Sequence, residues 1–521
     1  MKKSARYWLA AASLGAFALP SLAAQYPVVA SIAPEACNSL ASAFDYPDVE
    51  LSETRAIAAV DGKPARCEAR GAISGNIRFV VWLPNDWNGR YLMVGNGGKA
   101  GIFSLDAMEG PLSQGFATIT TDTGHDNEIE AQGGARFGSD LKMEIDFAYR
   151  AVNLTAGIGK RLVAAAYDRK PDYSYWVGCS TGGRQGLIQA QRYPTDFDGY
   201  VIGAPVAPYT RTQMAAPAYL GQLYKGDPRK EVGLITTEEA RAVGNAVMAK
   251  CDAIDGLEDG LLDDPRTCTF DPAKDLPKAQ GESPRDGTAF SEEQIAALQA
   301  IYEGVSGPDG KPIVNGLPVG SENVPTGWDR FLTRPKDEPG FPALHLIVAD
   351  AFNWLMFKED RPDFNYLTDF DFAVHPAEME YKGQIYNAFD PDLDDMRKLG
   401  GRILLYHGWA DTGSNPMNTL EYYESVLARL KEQGAADPVA AADEFLRLYM
   451  MPGVAHCTGG TGFDRADWLT PLTTWVEAGE KPRAILATRE AGGSRPHCPY
   501  PQTAKYQGSG DVLDAASFKC E

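Results

Sequence analysis

Short apolar runs recur along the chain, each stopping at a turn rich in glycine, aspartate or proline. Ile77–Leu83, Tyr91–Val94, Ala117–Thr120, Tyr175–Val177, Tyr200–Gly203, Arg402–Tyr406 and Phe445–Met451 read as buried strands. Between several of them the apolar positions fall three and four apart, which predicts helices over Met143–Tyr167, Gln185–Tyr193, Pro416–Leu430 and Leu469–Glu477. Strand alternating with helix predicts an α/β fold, a mostly parallel sheet covered on both faces. The rhythm is lost between about 207 and 391, where proline turns, acidic runs and aromatics surround two helical stretches, Thr237–Lys250 and Ser291–Tyr302. That break divides the chain into a core (25–206 and 392–521) and an inserted lid domain (207–391). The insert's Phe352, Trp354, Phe357, Phe364, Tyr366, Phe370 and Phe372 either line a pocket or form the lid's own core, and the second is the ordinary fate of such residues.

The turn after Tyr175–Val177 carries the strongest chemical signal. Gly178-Cys179-Ser180-Thr181-Gly182 lies between a strand and a helix, the setting of a nucleophile elbow. The pattern G-x-S-x-G also arises by chance in a chain this long, so the remaining parts must be sought elsewhere. Asp411 follows the strand Arg402–Tyr406, and His456 follows Phe445–Met451. Serine, acid and histidine in that order, each after a core strand, is the α/β-hydrolase arrangement for acyl transfer. Asp371, Asp390 and Asp394 compete for the acid but sit in the insert or at its end. Among the six histidines, His345, His375 and His497 lie away from strand ends, while His125 and His407 lie near them. Gly95-Asn96-Gly97-Gly98-Lys99-Ala100-Gly101 lacks the lysine-serine ending of a phosphate loop. In a hydrolase the loop at this place donates to the oxyanion, which nominates the N–H groups of Gly97 or Gly98 together with Thr181.

Composition alters the picture in three ways. Across 521 residues the formal net charge is −21, which argues against nucleic acid or anionic lipid as partners. Residues 1–24 have a cationic start (Lys2, Lys3, Arg6), an apolar stretch from Trp8 to Leu19 and small residues at Ser21-Leu22-Ala23, the pattern of a secretory signal. No later stretch has the length of a membrane span. A secreted or periplasmic location follows, and there an even set of eight cysteines suggests four disulfides. The sequence leaves their pairing open. Nearness along the chain suggests Cys37–Cys67, Cys251–Cys268 and Cys498–Cys520, with Cys179 and Cys457 left over. The stretch from Cys251 to Asp264 concentrates hard oxygen donors around two glycines. Carboxylates of Asp252, Asp255 and Asp259 with carbonyls of Leu257 and Leu261 would suit a structural Ca2+, though the spacing is not that of an EF-hand and a solvated acidic loop would look the same.

These motifs resemble the tannase/feruloyl esterase family of secreted α/β-hydrolases over nearly the whole mature chain. The resemblance rests on G-N-G-G-K-A-G, T-D-T-G-H, D-F-A-Y-R-A-V-N, G-C-S-T-G-G-R-Q-G, the acidic loop after Cys251, L-L-Y-H-G-W-A-D and P-G-V-A-H-C-T-G-G. It implies Ser180, Asp411 and His456 as a triad, a disulfide joining the neighbours of the serine and the histidine, a calcium-bearing lid, and small aromatic esters as substrates. The chain departs from the family after Asp411, where Thr412-Gly413-Ser414-Asn415 implies a smaller and more polar pocket wall. No arginine matches one that would bind a second carboxylate. The expected activity is therefore a feruloyl esterase-like one, with a tannase or a mono(2-hydroxyethyl) terephthalate hydrolase as alternatives. A catalytically silent, calcium-dependent binding protein is the reading from another class; the intact serine, acid, histidine and glycine loop oppose it.

Overall fold

The apolar runs are strands because both their faces are covered: Tyr91, Leu92, Met93 and Val94 are all buried, as continuous runs in parallel sheets are. The computed structural model describes residues 26–60, 62–127, 134–226 and 231–521, so the expected signal segment lies outside the described residues. One nine-stranded sheet dominates it. Its strands are β1 (Val49–Ile57), β2 (Arg66–Ile73), β3 (Ile77–Pro84), β4 (Arg90–Val94), β5 (Ala117–Thr121), β6 (Tyr173–Cys179), β7 (Gly199–Gly203), β8 (Arg402–Gly408) and β9 (Leu446–Met451). Across the sheet the order is β9-β8-β7-β6-β4-β5-β3-β2-β1. From β9 to β5 every neighbouring pair is parallel. The pairs from β5 to β1 are antiparallel. β1 is an edge strand with one exposed face and a bulge between Leu51 and Glu53, which blunts the edge.

The main helices in chain order are α1 (Ala151–Tyr167), α2 (Thr181–Arg192), α3 (Tyr209–Leu223), α4 (Thr237–Cys251), α5 (Ala343–Trp354), α6 (Pro416–Glu432) and α7 (Leu469–Ala478); α1, α2, α6 and α7 cover the sheet, while α3, α4 and α5 lie in the segment between β7 and β8. The long helix expected from Met143 is continuous but not uniform, because a π-turn at Asp146–Arg150 precedes α1. The buried Asp146 carboxylate there accepts from Asn76 and Arg150, a local demand that regular helical spacing does not meet.

All sheet strands lie outside the segment between β7 and β8. That segment is mainly helical, with a small antiparallel pair, Gly304–Ser306 against Pro312–Asn315. Its apolar side chains, among them Tyr219, Val243, Trp328 and Phe352, form a second core cluster. Phe352, Phe357 and Tyr366 are buried in it, and Trp354, Phe364, Phe370 and Phe372 pack against it, so the aromatics are core. Buried polar links join the insert to the sheet domain. Glu144 accepts from Lys382 and, at 2.6 Å, from the Tyr386 hydroxyl. Arg184 of α2 is fully buried, lies 5.0 and 5.1 Å from the Phe147 and Tyr209 ring centres, and donates to the carbonyls of Ala148 and Tyr386.

Four disulfides form: Cys37–Cys67, Cys179–Cys457, Cys251–Cys268 and Cys498–Cys520. Among the described residues no cysteine is free.

Candidate active site

β6 runs straight into α2, and Ser180 occupies the corner with φ 61° and ψ −123°, a left-handed conformation that side chains rarely adopt. The Ser180 N–H donates to Gly203 O at 3.0 Å, and the Ser180 carbonyl accepts from Arg184 N–H to start the helix. The glycines are needed for space: a Cβ on Gly178 would lie 2.5 Å from Gly182 O. The serine hydroxyl therefore stands at the end of a central strand and at a helix N-terminus.

The loops after β8 and β9 bring up two more side chains. His456 Nε2 lies 2.9 Å from Ser180 Oγ, and His456 Nδ1 lies 2.7 Å from Asp411 Oδ2. The Cys179–Cys457 bond, with Cα atoms 6.0 Å apart, ties the residue before the serine to the residue after the histidine. Asp411 is buried, and its Oδ1 accepts from the N–H groups of Gly413 and Ser414 at 2.8 Å each. Burial pushes its carboxyl up, but the charges and hydrogen bonds of His456 and His407 prevail and hold it well below the usual carboxylate range.

His407, one of the two histidines whose place near a strand end leaves them open to a supporting role, lies against Asp411. It is fully buried, and its Nε2 faces two acceptors, Asp411 Oδ2 at 3.0 Å and Ser414 O at 2.8 Å. That nitrogen carries the proton, so Nδ1 accepts from the Thr419 hydroxyl at 2.7 Å. Asp411 Oδ2 is thus shared by two imidazoles. The clue in the sequence was a histidine four residues before the aspartate at a strand end.

The serine opens on a cavity of about 530 Å3. Gly97, Gly98 and Thr181 line it beside Ser180. Among the described residues their backbone N–H groups have no protein acceptor, while the Thr181 hydroxyl donates to Gly98 O. His125 supports this loop from behind: its Nε2 donates to Lys99 O at 2.8 Å and its ring stacks on Phe137 at 3.8 Å. Burial lowers the His125 pKa to about 4. The insert supplies an apolar wall of Phe331, Leu344, Ile347 and Val348, and a polar one from Tyr209, Thr212 and Gln213 on one face of α3. Of the stretch after Asp411, Gly413 alone lines the cavity. A Cβ there would meet the Phe331 ring at 2.8 Å, so glycine lets Phe331 close edge-on against His456, 5.7 Å between ring centres. Ser414 turns away to Pro205 O, and Asn415 to Tyr219 and the Asn315 and Gly316 carbonyls, so the expected polarity of this wall comes from α3 instead. Arg330, exposed, also lines the cavity from the insert, an arginine that no sequence motif marked.

The acidic loop is closed by Cys251–Cys268. Asp252 accepts from Gly260 N–H at 2.9 Å, Asp255 from Leu257 N–H at 3.1 Å, and Asp259 from Leu261 N–H at 3.2 Å. Burial pushes the Asp252 and Asp255 carboxyls up, and the charge of Asp259 adds to it, a repulsion that a bound cation would relieve. The donor chemistry fits a hard cation, although Asp259 is turned to Arg495 and among the described residues no three acidic, histidine or cysteine side chains already converge on a metal position. The loop also abuts the turns that carry Asp411 and His456: Leu261 lies against Gly453 of the His456 loop, and both line a cavity with Trp409 and Ala410.

A parallel-centred sheet with a strand–serine–helix corner and an acid and a histidine on later strand ends defines an α/β-hydrolase. The chain belongs to the tannase and feruloyl esterase family, whose model matches residues 60–521. It is 34% identical to a mono(2-hydroxyethyl) terephthalate hydrolase of Piscinibacter sakaiensis, over 89% of this chain and 86% of that one. It is 29% identical to a probable feruloyl esterase B-1 of Aspergillus oryzae, over 85% and 81%. The crystal structure of feruloyl esterase B from Aspergillus oryzae superposes with a TM-score of 0.80 at 25% identity, covering 94% of this chain and all of that one. The protein is a carboxylic ester hydrolase.

Proposed function

We propose that this hydrolase is an exported serine esterase that cleaves esters of aromatic acids of the hydroxycinnamic and hydroxybenzoic type. The observation that carries the chemistry is the continuous chain Ser180 Oγ to His456 to Asp411 at the floor of the cavity. In this reading His456 removes the serine proton as Oγ attacks the ester carbonyl, and Asp411 fixes the imidazole tautomer and stabilises the imidazolium. The open N–H groups of Thr181 and of Gly97 or Gly98 receive the oxyanion. His456 then protonates the leaving alcohol, and water resolves the acyl-enzyme by the same route. The apolar wall of Phe331, Leu344 and Val348 supports an aromatic acyl group.

Relative rates on methyl ferulate, methyl gallate and mono(2-hydroxyethyl) terephthalate test the substrate class. Hydrolysis of the first two above simple alkyl esters is the expected result, and inactivity on all three defeats the reading. Arg330 is the reason the terephthalate monoester belongs on the panel. Labelling of Ser180 by a fluorophosphonate, lost in Ser180→Ala, separates catalysis from mere binding.

Two further features belong to the proposal. The Asp252, Asp255 and Asp259 carboxylates with the Leu257 and Leu261 carbonyls would hold calcium, which when bound supplies charge that fixes the loop. Four disulfides support an oxidising destination, and among the described residues no helix is long and apolar enough to cross a membrane.

A further inference from the structure

The polar wall of the cavity contains a buried polar atom that has no hydrogen-bond partner among the described residues. Tyr209, Thr212 and Gln213 lie three and four residues apart on α3 and all line the space beside Ser180. The Thr212 hydroxyl is committed to Pro208 O at 3.2 Å. The Tyr209 ring is held by the buried guanidinium of Arg184, 5.1 Å from its centre. Gln213 has neither constraint. Its side chain is 4% exposed, and its buried Oε1 has no hydrogen-bond partner among the described residues. A carboxamide left without a partner at such burial is costly, and proteins satisfy such groups as a rule. The same cavity is lined by Phe331, Leu344 and Val348, side chains suited to the face of a ring and unable to satisfy an amide.

We propose that Gln213 is the specificity residue for the acyl group: its carboxamide hydrogen-bonds a ring hydroxyl of the aromatic acid while Phe331, Leu344 and Val348 hold the ring. A hydroxyl both donates and accepts, so it matches the amide in either orientation, whereas an unsubstituted ring leaves the amide unpaired. Discrimination by an unpaired polar group is stronger than discrimination by missing apolar contact. This assignment rests on the aromatic-ester reading above and narrows it to hydroxylated acids.

The test is kcat/KM for the matched pair methyl 4-hydroxycinnamate and methyl cinnamate, with p-nitrophenyl acetate as a small control ester. The wild type is expected to prefer the hydroxylated ester by about 10- to 100-fold. In Gln213→Leu that preference falls to near unity through a loss on the hydroxylated ester that exceeds any change on methyl cinnamate or on the control ester; Gln213→Met serves if the leucine variant does not fold. Equal treatment of the two esters by the wild type overturns the assignment, as does a variant that loses both esters in proportion, which marks a packing residue. Inactivity of the wild type on both cinnamates with p-nitrophenyl acetate still cleaved refutes the aromatic-ester reading itself, and this assignment with it.

Discussion

Removing the bond between Cys179 and Cys457 separates its two effects cleanly. The bond closes a sequence separation of 278 residues. In the chain-entropy account, opening such a loop in the unfolded state costs about 5.6 kcal/mol of stability at 25 °C. A chain this long unfolds with an entropy of about 1 kcal/mol/K, so the melting temperature of Cys179→Ala/Cys457→Ala falls by only about 5 °C. The double variant should therefore be folded at 25 °C. The site suffers more. Ser180 at φ 61° and Cys457 at φ 66° are strained residues on the two sides of the bond. Each conformation stores about 1–3 kcal/mol, which is available to drive relaxation once the covalent tie is gone. The Ser180 Oγ to His456 Nε2 contact of 2.9 Å then loses its covalent tie and rests on hydrogen bonds and packing alone, chiefly Asp411 and Phe331 on the histidine and Gly203 O on the Ser180 N–H. A shift of about 1 Å costs about 100-fold in rate. The assay is p-nitrophenyl acetate hydrolysis and fluorophosphonate labelling at 25 °C beside a thermal melt. A folded double variant that turns over within about twofold of the wild type would refute the bracing argument.

Four other outcomes are expected. Asp411→Asn drops kcat by about 10^4 because the wrong imidazole tautomer is favoured. His407→Leu, which removes one of two donors to Asp411 Oδ2, lowers kcat by about 10-fold with KM little changed; an unchanged kcat would make His407 a packing residue. His125 and His497 are buried, and burial lowers each pKa from 6.5 to about 4. The unfolded chain takes up those protons first, so stability is full above about pH 6.5 and is lost as pH falls towards 4, by up to about 3 kcal/mol per histidine. Denaturant unfolding at pH 7 and 4.5 checks the slope, and His497→Gln should flatten it. Chelation of protein prepared with calcium lowers the melting temperature and, because Leu261 packs on Gly453, turnover as well; a melt and a rate both unmoved would mean the acidic loop holds no metal.

What the sequence disclosed follows the strength of local signals. Buried parallel strands are continuous apolar runs, so β3 to β9 were legible almost to the residue, and the positions of Ser180, Asp411 and His456 followed from their ends. β1 and β2 were not, because the polar run Ser52-Glu53-Thr54-Arg55 at the bulge breaks the alternation of Val49–Ile57, and Glu68, Arg70 and Gly71 interrupt the apolar residues of Arg66–Ile73. The cavity walls were the other omission. Gln213, Arg330 and Phe331 come from a segment without β–α rhythm, and nothing local sets a cavity-lining residue apart from a core one. The insert's conspicuous aromatics drew attention for their composition, yet they face one another. His407 was visible as a histidine near a strand end, but only the fold shows its nitrogen sharing an oxygen with His456.

The buried Glu144–Lys382 pair and Arg184 with its carbonyl partners have a consequence for how molecules reach the serine. A roof pinned by one buried ion pair and one buried guanidinium on carbonyls is expected to resist swinging, because opening it would strand charges in an apolar seam. The entrance is then a fixed window, and what passes is decided by girth. Rates on small dissolved esters should show neither a lag nor a jump when the substrate forms droplets, and a polymer should be trimmed only where a free end can thread inside.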